Sequence, residues 1–295
     1  MNSFVLYCKS YSVDVLRVVR LGRTIRQFNE DQIPFYVSAP RSDLPLFQEK
    51  LTGLDVQLIA DEDITAANPA IDCQKLALLS GNVSQQIVKS EFWRLGLAQS
   101  YLCLDSDCIF IRPFRLSEFI TKALIPYTII DEGRDILYPS LARGKIHIPD
   151  DFRREAGEVQ QHMEREGKAY NFGPNCPVWD RRVWESLDTE FLQPKRLSFL
   201  DLIQLSPNEM RWYGEALLRY RAINLLPSQP FFKMYHYAWQ QRFDQSVGIS
   251  GDQLRQLYCG VVYQSAWERE MDWPSEGGGR LSRLGRRLRR RLGRI

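Results

Sequence analysis

The amino-acid sequence predicts an α/β protein with a Rossmann-type, mainly parallel sheet flanked by helices. The main observation is that strand-like apolar runs alternate with helical patterns through the first half of the chain. In addition, 44% of the residues are hydrophobic and 25% are charged, as in ordinary soluble proteins. The chain has 295 residues, enough for a large packed core. Strands that alternate with helices favour a parallel sheet with right-handed crossovers.

Each element of the first half follows from its own pattern. The strand-like runs are "FVLYCKSY" at 4–11, "IPFYVSAP" at 33–40, "DVQLIA" at 55–60 and "YLCLDSDCIFI" at 101–111. Apolar residues recur at helical spacing over 13–28 and over 82–99. For the second helix we expect Asn82 to be the N-cap, paired with Gln85. Ligands of such sheets bind beyond the carboxyl ends of the strands.

The second half has a less regular pattern. It predicts a charged helix over 150–168, a turn-rich loop at 171–179, a helix over 206–222 and an extended segment at 231–239. We expect one domain over 1–272, with halves at 1–115 and 116–272, then a glycine-rich linker at 273–279 and a basic tail at 280–295. The sequence contains neither a signal peptide nor an apolar run long enough for a membrane span, which predicts a cytoplasmic protein.

Two aspartates, Asp105 and Asp107, interrupt the last apolar run of the first half. Residues two apart in a strand point to the same face, about 7 Å apart. Two carboxylates at the end of a buried strand repel each other and resist desolvation. A hard divalent cation removes both problems, and Mg²⁺ or Mn²⁺ held in this way commonly binds substrate phosphates as well. The pair therefore predicts a metal that carries a diphosphate.

Two other interpretations remain open at this point. Haloacid-dehalogenase-like phosphatases also have an Asp-x-Asp motif after a strand, and Asp105 would then be the nucleophile. Their motif ordinarily follows the first strand, whereas about 100 residues of α/β pattern come first here. Alternatively, the protein is a non-catalytic adaptor at a membrane surface whose function lies in the tail.

Several stretches together resemble bacterial Asp-x-Asp glycosyltransferases of the GT-A fold, in particular a poorly characterised family linked to cell-surface polysaccharide synthesis. These are "FVLYCKSY", "IPFYVSAPRSD", "SGNVSQQIVKSEFWRLGLAQSYLCLDSDCIFIRPF" and "EMRWYG". The resemblance covers roughly residues 1–240. It implies a nucleotide-sugar donor, foremost a UDP-sugar, that binds the half at 1–115 with Mn²⁺ or Mg²⁺. The acceptor, a glycan or a lipid-linked sugar, would bind the half at 116–272.

The resemblance also implies roles for single residues on the donor side. Ser10 and Tyr11, at the end of the first strand, would hold the nucleotide base. Lys89 would face the donor from the helix, and Gln86 lies on the same helical face. His236 would be brought back to the metal beside Asp105 and Asp107.

Further residues are candidates for contacts with the donor phosphates and with the acceptor. Lys233 would assist at the phosphates, and Asp131, Asn175 and Tyr213 would contact the acceptor. If the reaction inverts the anomeric centre, a base must deprotonate the acceptor hydroxyl, and Glu209 is favoured over Glu215. The competing interpretation of Glu209 is a capping box with Ser206.

The tail at 280–295 contains eight arginines and no acidic residue, with leucines at helical spacing. This predicts a basic amphipathic helix on the anionic inner face of the cytoplasmic membrane. The remainder of the chain has 31 basic and 36 acidic residues, which disfavours nucleic acid as a partner.

Overall fold

The computed structural model describes residues 1–141, 144–266, 268–269 and 271–273. Within these residues the strands are β1 (Asn2–Lys9), β2 (Phe35–Ala39), β3 (Gln57–Ala60), β4 (Ala98–Leu104), β5 (Cys108–Phe110), β6 (Tyr127–Ile129), β7 (Val178–Asp180), β8 (Leu226–Ser228), β9 (Phe232–Tyr235) and β10 (Gly260–Tyr263). The helices of the first half are α1 (Val15–Phe28), α2 (Leu44–Lys50), α3 (Asp61–Ala66), α4 (Cys73–Leu78) and α5 (Gly81–Glu91). Those of the second half are α6 (Arg134–Leu141), α7 (Ile148–His162), α8 (Arg181–Leu187), α9 (Gln193–Lys195), α10 (Phe199–Leu205), α11 (Glu209–Tyr220), α12 (Ala238–Ser246) and α13 (Gly251–Leu257).

The central sheet has the order β3-β2-β1-β4-β7. Its first four strands are parallel and β7 is antiparallel to β4. This confirms the predicted α/β class and the mainly parallel sheet flanked by helices. A second sheet, β5-β10-β9, and a β6-β8 pair lie outside it.

The core lies on both faces of the central sheet, because alternate residues of its strands point to opposite sides. In β1, Val5 and Tyr7 pack into one cluster with aromatic residues of α8 and α11. Phe4 and Leu6 pack into the other cluster with α1 and α2. Strands buried on both faces read as continuous apolar runs, which is why the sequence reveals them.

Several predicted boundaries in the first half are wrong. The run at 101–111 is not one strand, because a turn over Asp105–Asp107 divides it into β4 and β5, which belong to different sheets. The helix predicted over 82–99 begins at Gly81 and ends at Glu91, and Asn82 lies in its first turn rather than at the cap. A short 3-10 turn and Gly96, at φ 64°, then reverse the chain into β4.

The competing interpretation of Glu209, a capping box with Ser206, is wrong. Asn208 is the N-cap of α11, and its side chain accepts a hydrogen bond from the Arg211 amide at 3.0 Å. Glu209 is therefore the first residue of the helix, and capping does not occupy its carboxylate. The Ser206 carbonyl accepts a hydrogen bond from the Trp212 indole instead.

The predicted basic helix at 280–295 and nearly all of the linker lie outside the described residues. Within the described part of the chain, the structure contains no helix long and apolar enough to cross a membrane.

Candidate active site at the carboxyl edge of the sheet

The four parallel strands end at one edge of the sheet, and the residue after each lines a common cavity. Ser10 follows β1, Pro40 follows β2, Asp61 follows β3 and Asp105 follows β4. The register pairs Cys8 of β1 with Leu104 of β4, which sets Ser10 close to the aspartate turn. The cavity has a volume of about 790 Å³. It lies where parallel α/β sheets bind their ligands.

Asp105 and Asp107 both line this cavity, although they lie in a turn rather than a strand. Asp105 accepts a hydrogen bond from the Lys89 ammonium at 2.5 Å. Asp107 is buried, and its Oδ2 accepts a hydrogen bond from the Ser265 amide at 2.7 Å. Burial, together with the charge of Asp105, raises the pKa of Asp107 to about 7, although Ser265 opposes the shift.

Lys89 joins the aspartate turn to α11. Its ammonium lies 4.0 Å from the Glu209 carboxylate, and the side chain is buried. Burial alone would lower the pKa of Lys89, but Asp105 and Glu209 outweigh it, so the pKa lies well above its ordinary value. Burial raises the pKa of Glu209, and Lys89 opposes that shift. Lys89 is therefore a fixed positive charge between two carboxylates.

Some buried polar atoms of the cavity wall have no hydrogen-bond partner among the described residues. They are Ser10 Oγ, Asp61 Oδ1, Gln86 Oε1, Asp107 Oδ1, Asn175 Oδ1 and Trp179 Nε1. An unpaired buried polar atom costs about 1–3 kcal/mol. Such a concentration of unpaired atoms around one cavity indicates a binding site whose ligand, ions and water supply the missing partners.

Comparison with known proteins identifies the family. The model of a family of unknown function, DUF6492, matches residues 3–246. The chain belongs to the DUF6492 family. No curated protein matches the sequence.

Two solved structures are similar to this DUF6492 chain over most of its length. Mouse xyloside xylosyltransferase 1, in its apo form, is 9% identical at a TM-score of 0.46, covering 90% of this chain and 99% of its own. The galactosyltransferase LgtC, solved in complex with donor and acceptor sugar analogues, is 12% identical at a TM-score of 0.49, covering 92% of each chain. Because both TM-scores lie below 0.5, the chemistry of the cavity has to be argued from its own residues.

Most of the predicted donor residues lie around the cavity of the DUF6492 chain. Its lining includes Ser10, Tyr11, Gln86, Lys89, Asp105, Asp107, Asn175 and Glu209. The favoured glutamate thus faces the cavity. Glu215, in contrast, is buried in an ion pair with Arg165.

Four predicted residues lie elsewhere. Tyr213 is a core residue packed against two tryptophans, and its hydroxyl accepts a hydrogen bond from the Asp180 amide at 2.8 Å. Lys233 forms an ion pair with Asp244 at 3.1 Å. Asp131 lines a smaller neighbouring cavity of about 340 Å³. His236 is absent from the described cavity lining, and burial lowers its pKa to about 4.

The structure does not assemble the predicted three-residue metal site. Among the described residues, no group of three His, Cys, Asp or Glu side chains could hold a metal ion. The two aspartates nevertheless suit a divalent cation. Asp107 Oδ1 is buried and unpaired among the described residues, and burial, followed by the charge of Asp105, raises the pKa of Asp107; a cation would offset both effects.

The cavity lining also contains Asp61, Ser265 and Arg269, which were not among the predicted site residues. Asp61 follows a predicted strand, so the same strand-end rule could have found it. Its carboxylate lies 3.1 Å from Lys9, and burial raises its pKa although Lys9 opposes the shift. Ser265 and Arg269 have no local signal in the sequence. The fold brings Ser265 to Asp107, 158 residues away along the chain, and Arg269 to Asp14, 255 residues away.

Proposed function

We propose that the protein is a metal-dependent glycosyltransferase that moves a sugar from a nucleotide-diphosphate donor to a hydroxyl of a surface-polysaccharide or lipid-linked acceptor. The observation that supports this most strongly is the aspartate turn in the cavity, where Asp107 Oδ1 is buried without a partner beside Asp105. The cavity, at about 790 Å³, is large enough for a nucleotide sugar.

Asp105 and Asp107 are the residues that would hold Mn²⁺ or Mg²⁺. When bound, the ion neutralises charge that develops on the diphosphate leaving group. Lys89 holds Asp105 in place, and Arg269 brings a second positive charge to the cavity wall. Arg269 is a better candidate for the phosphates than Lys233, because Arg269 lines the cavity and Lys233 lies outside its described lining. Both side chains are ion-paired, Arg269 with Asp14 and Lys233 with Asp244.

Ser10, Tyr11 and Gln86 would contact the donor. Ser10 Oγ and Gln86 Oε1 are buried at the cavity wall without a partner among the described residues, so a nucleotide would pair them. Tyr11 is exposed and lies at the end of β1, where its ring can contact the base. The donor thus lies along the edge formed by β1, β4 and α5.

Glu209 is the candidate base and Asn175 a candidate acceptor contact. Burial raises the pKa of Glu209, which makes its carboxylate a stronger proton acceptor, while Lys89 at 4.0 Å favours its charged form. In an inverting reaction Glu209 takes the proton of the acceptor hydroxyl as the sugar is transferred. Asp131 belongs to the neighbouring cavity, which shares Pro174 with the first, and a longer acceptor would reach it.

We propose that the basic tail determines where in the cell the reaction takes place. Eight arginines at 280–295 would hold the protein on the anionic inner face of the cytoplasmic membrane, where lipid-linked acceptors reside.

The test is a panel of nucleotide sugars, titrated by calorimetry with and without Mn²⁺ and assayed for slow hydrolysis. We expect Mn²⁺ to strengthen the binding of one donor by about tenfold or more. Asp105→Asn and Asp107→Asn should abolish that gain, whereas Asp150→Asn, at an exposed surface carboxylate, should leave it unchanged. A panel without metal-stimulated binding or hydrolysis would contradict the proposal. Trapping of beryllofluoride on Asp105 would favour the phosphatase instead.

A further inference from the structure

A buried ion pair lies in the cavity wall where β1 and β3 end. Lys9 is the last residue of β1, and Asp61 is the first residue after β3. Both line the cavity, and the Lys9 ammonium lies 3.1 Å from Asp61 Oδ2, with the two side chains 9% and 12% exposed. A buried ion pair contributes little net stability, because the cost of desolvation offsets the attraction between the charges. Stability alone therefore does not account for this pair.

Both partners of the ion pair have unused hydrogen-bonding capacity. Asp61 Oδ1 is buried without a hydrogen-bond partner among the described residues. An ammonium group has three N–H groups. Within the described part of the chain Lys9 directs two of them to acceptors, Asp61 Oδ2 and the Ser10 carbonyl, the latter at 2.9 Å. The pair therefore offers a ligand one acceptor and one donor side by side.

The Ser38 hydroxyl faces Asp61 from β2, but it is hydrogen-bonded to the Tyr7 hydroxyl at 2.9 Å. Burial raises the pKa of Asp61, whereas Lys9 and Ser38 oppose the shift. Lys9 and Ser38 thus favour the charged form of Asp61, which is the form that accepts hydrogen bonds most strongly.

The distance from this pair to the aspartate turn suits a nucleoside diphosphate. The sheet order β3-β2-β1-β4 puts three strand intervals between Asp61 and Asp105, which is about 14 Å. A base, a ribose and a diphosphate in a row span a comparable distance. Ser10, whose buried Oγ has no partner among the described residues, lies between the two ends. With the diphosphate at the aspartate turn, the base would therefore reach Lys9 and Asp61.

The chemistry of the pair fits the edge of a base. Each nucleotide base presents an N–H group next to a hydrogen-bond acceptor, and these match Asp61 Oδ1 and the third N–H of Lys9. A phosphate, in contrast, would be repelled by the Asp61 carboxylate. The Tyr11 ring is 41% exposed and its centre lies 6.0 Å from the Lys9 ammonium, so a base that contacts the pair can stack on this ring.

We propose that Lys9 and Asp61 bind the base of the nucleotide donor and select which base it is, with Asp61 Oδ1 accepting from an N–H of the base and Lys9 donating to the neighbouring acceptor. The bases differ in the position of the N–H along this edge, so a fixed acceptor and donor discriminate among them. This inference rests on the proposed nucleotide-sugar donor and adds the residues that determine its base.

The test is calorimetry of the full chain with Mn²⁺ and UDP, CDP, GDP or ADP, beside inorganic pyrophosphate, which has no base. We expect one nucleoside diphosphate to bind about tenfold more tightly than the others or better, and Asp61→Asn to remove most of that preference. Lys9 attracts the oxygen of the new amide, so an NH2 donor faces the base where an acceptor was. Pyrophosphate should bind equally to both proteins.

Asp63→Asn is the matched control, because Asp63 lies on the same helix, α3, in an exposed ion pair with Arg41. It should keep the base preference of the unaltered protein. Lys9→Met is a second variant, which removes the donor from the pair and should also lose the preference. Thermal unfolding verifies that the variants are folded.

The outcomes separate this inference from the proposed function. If a diphosphate binds with Mn²⁺ but the unaltered protein has no base preference, or Asp61→Asn keeps it, the inference is overturned while the proposed function stands. An equal loss for all four diphosphates would also overturn the inference, because Asp61 would then contact the ribose. If no nucleoside diphosphate binds in an Mn²⁺-dependent way, the proposed function fails and the inference fails with it.

Discussion

Single residues set the charge balance of the cavity. The three positive side chains of its described lining each contact a carboxylate: Lys9 with Asp61, Lys89 with Asp105, and Arg269 with Asp14. Asp107 and Glu209 are two further acids of the lining, and burial raises the pKa of both. The cavity therefore has more acid than base, and the surplus lies at the aspartate turn and at the candidate base. This is the arrangement that a cation would stabilise.

Asp107 should make the metal-free protein less stable as the pH rises. Its pKa is about 7 in the folded protein and about 3.9 in an unfolded chain. Between these values the folded protein holds a proton that the unfolded chain has released, so the free energy of unfolding falls as pH increases from about 4 to about 7. Asp107→Asn removes this loss. Between pH 5 and pH 8, the free energy of unfolding of the variant should therefore fall by about 2–3 kcal/mol less than that of the unaltered protein.

Urea unfolding at both pH values, in the presence of a chelator, measures the effect. Asp150→Asn, at an exposed site, should unfold with the pH dependence of the unaltered protein. Identical pH slopes for the Asp107→Asn variant and the unaltered protein would show that Asp107 titrates normally.

At the scale of elements, α11 connects the site to the core. Its first residue, Glu209, lines the cavity, and its middle turn packs Trp212 and Tyr213 into the aromatic cluster beneath the sheet. Gly214 is the point of closest approach, because a Cβ built there would lie 2.1 Å from the ring of Phe172. Phe172 belongs to the loop that contributes Asn175 to the cavity, so this contact fixes the helix against the acceptor side of the site.

Gly214→Ala should therefore destabilise the protein although alanine favours helix. The clash with Phe172 forces the helix or the loop to move, and overpacking of this kind costs about 1–3 kcal/mol or more. Gly157→Ala is the matched control, because it is also a helical glycine and a Cβ there meets nothing within 4 Å. That change should stabilise the protein by up to about 1 kcal/mol. Chemical denaturation compares the two, and equal effects of the same sign would refute the close packing of α11.

At the scale of the whole molecule, the C-terminal segment closes the fold on its first helix. Arg17 and Arg20 of α1 both bind the Asp272 carboxylate, whose side chain is fully buried. Arg20 also lies over the ring of Trp273, 5.5 Å from its centre. This attachment positions Ser265, whose amide holds Asp107. The end of the described chain thus helps to fix the aspartate turn that the first half supplies.

Arg20→Ala should loosen this segment while the rest of the sheet stays protected. Losing the ion pair and the aromatic contact costs about 1–2 kcal/mol, and Arg17 still binds Asp272. We expect faster amide hydrogen exchange over 264–273, including Ser265. Arg23→Ala on the exposed side of the same helix is the control and should leave this exchange unchanged. Unaltered protection of Ser265 in Arg20→Ala would mean that the attachment to α1 does not hold the segment.

The sequence by itself determined the sheet and one edge of the site. The parallel strands are buried on both faces, so each appears as a continuous apolar run, and the residues after those runs, such as Ser10 and Asp105, could be placed at one edge. Lys89 and Glu209 also line the cavity, although the resemblance to glycosyltransferases, rather than their spacing alone, singled them out in the sequence. The turn that divides the run at 101–111 escaped prediction, because apolar residues continue on both sides of it.

Only the tertiary structure decided which distant residues complete the cavity. Tyr213, Lys233 and His236 have side chains suited to a sugar and phosphate site, but none of them lines the described cavity. Tyr213 is packed in the core, and Lys233 is paired with Asp244. Ser265 reaches the aspartate turn through the pairing of β10 with β5 and β9, and Arg269 reaches the cavity wall through an ion pair with Asp14, just before α1. Such contacts depend on strand pairing and charge pairing between segments far apart along the chain. The spacing of residues along the sequence does not predict these contacts, because they form, and stabilise the protein, only when the whole chain has folded.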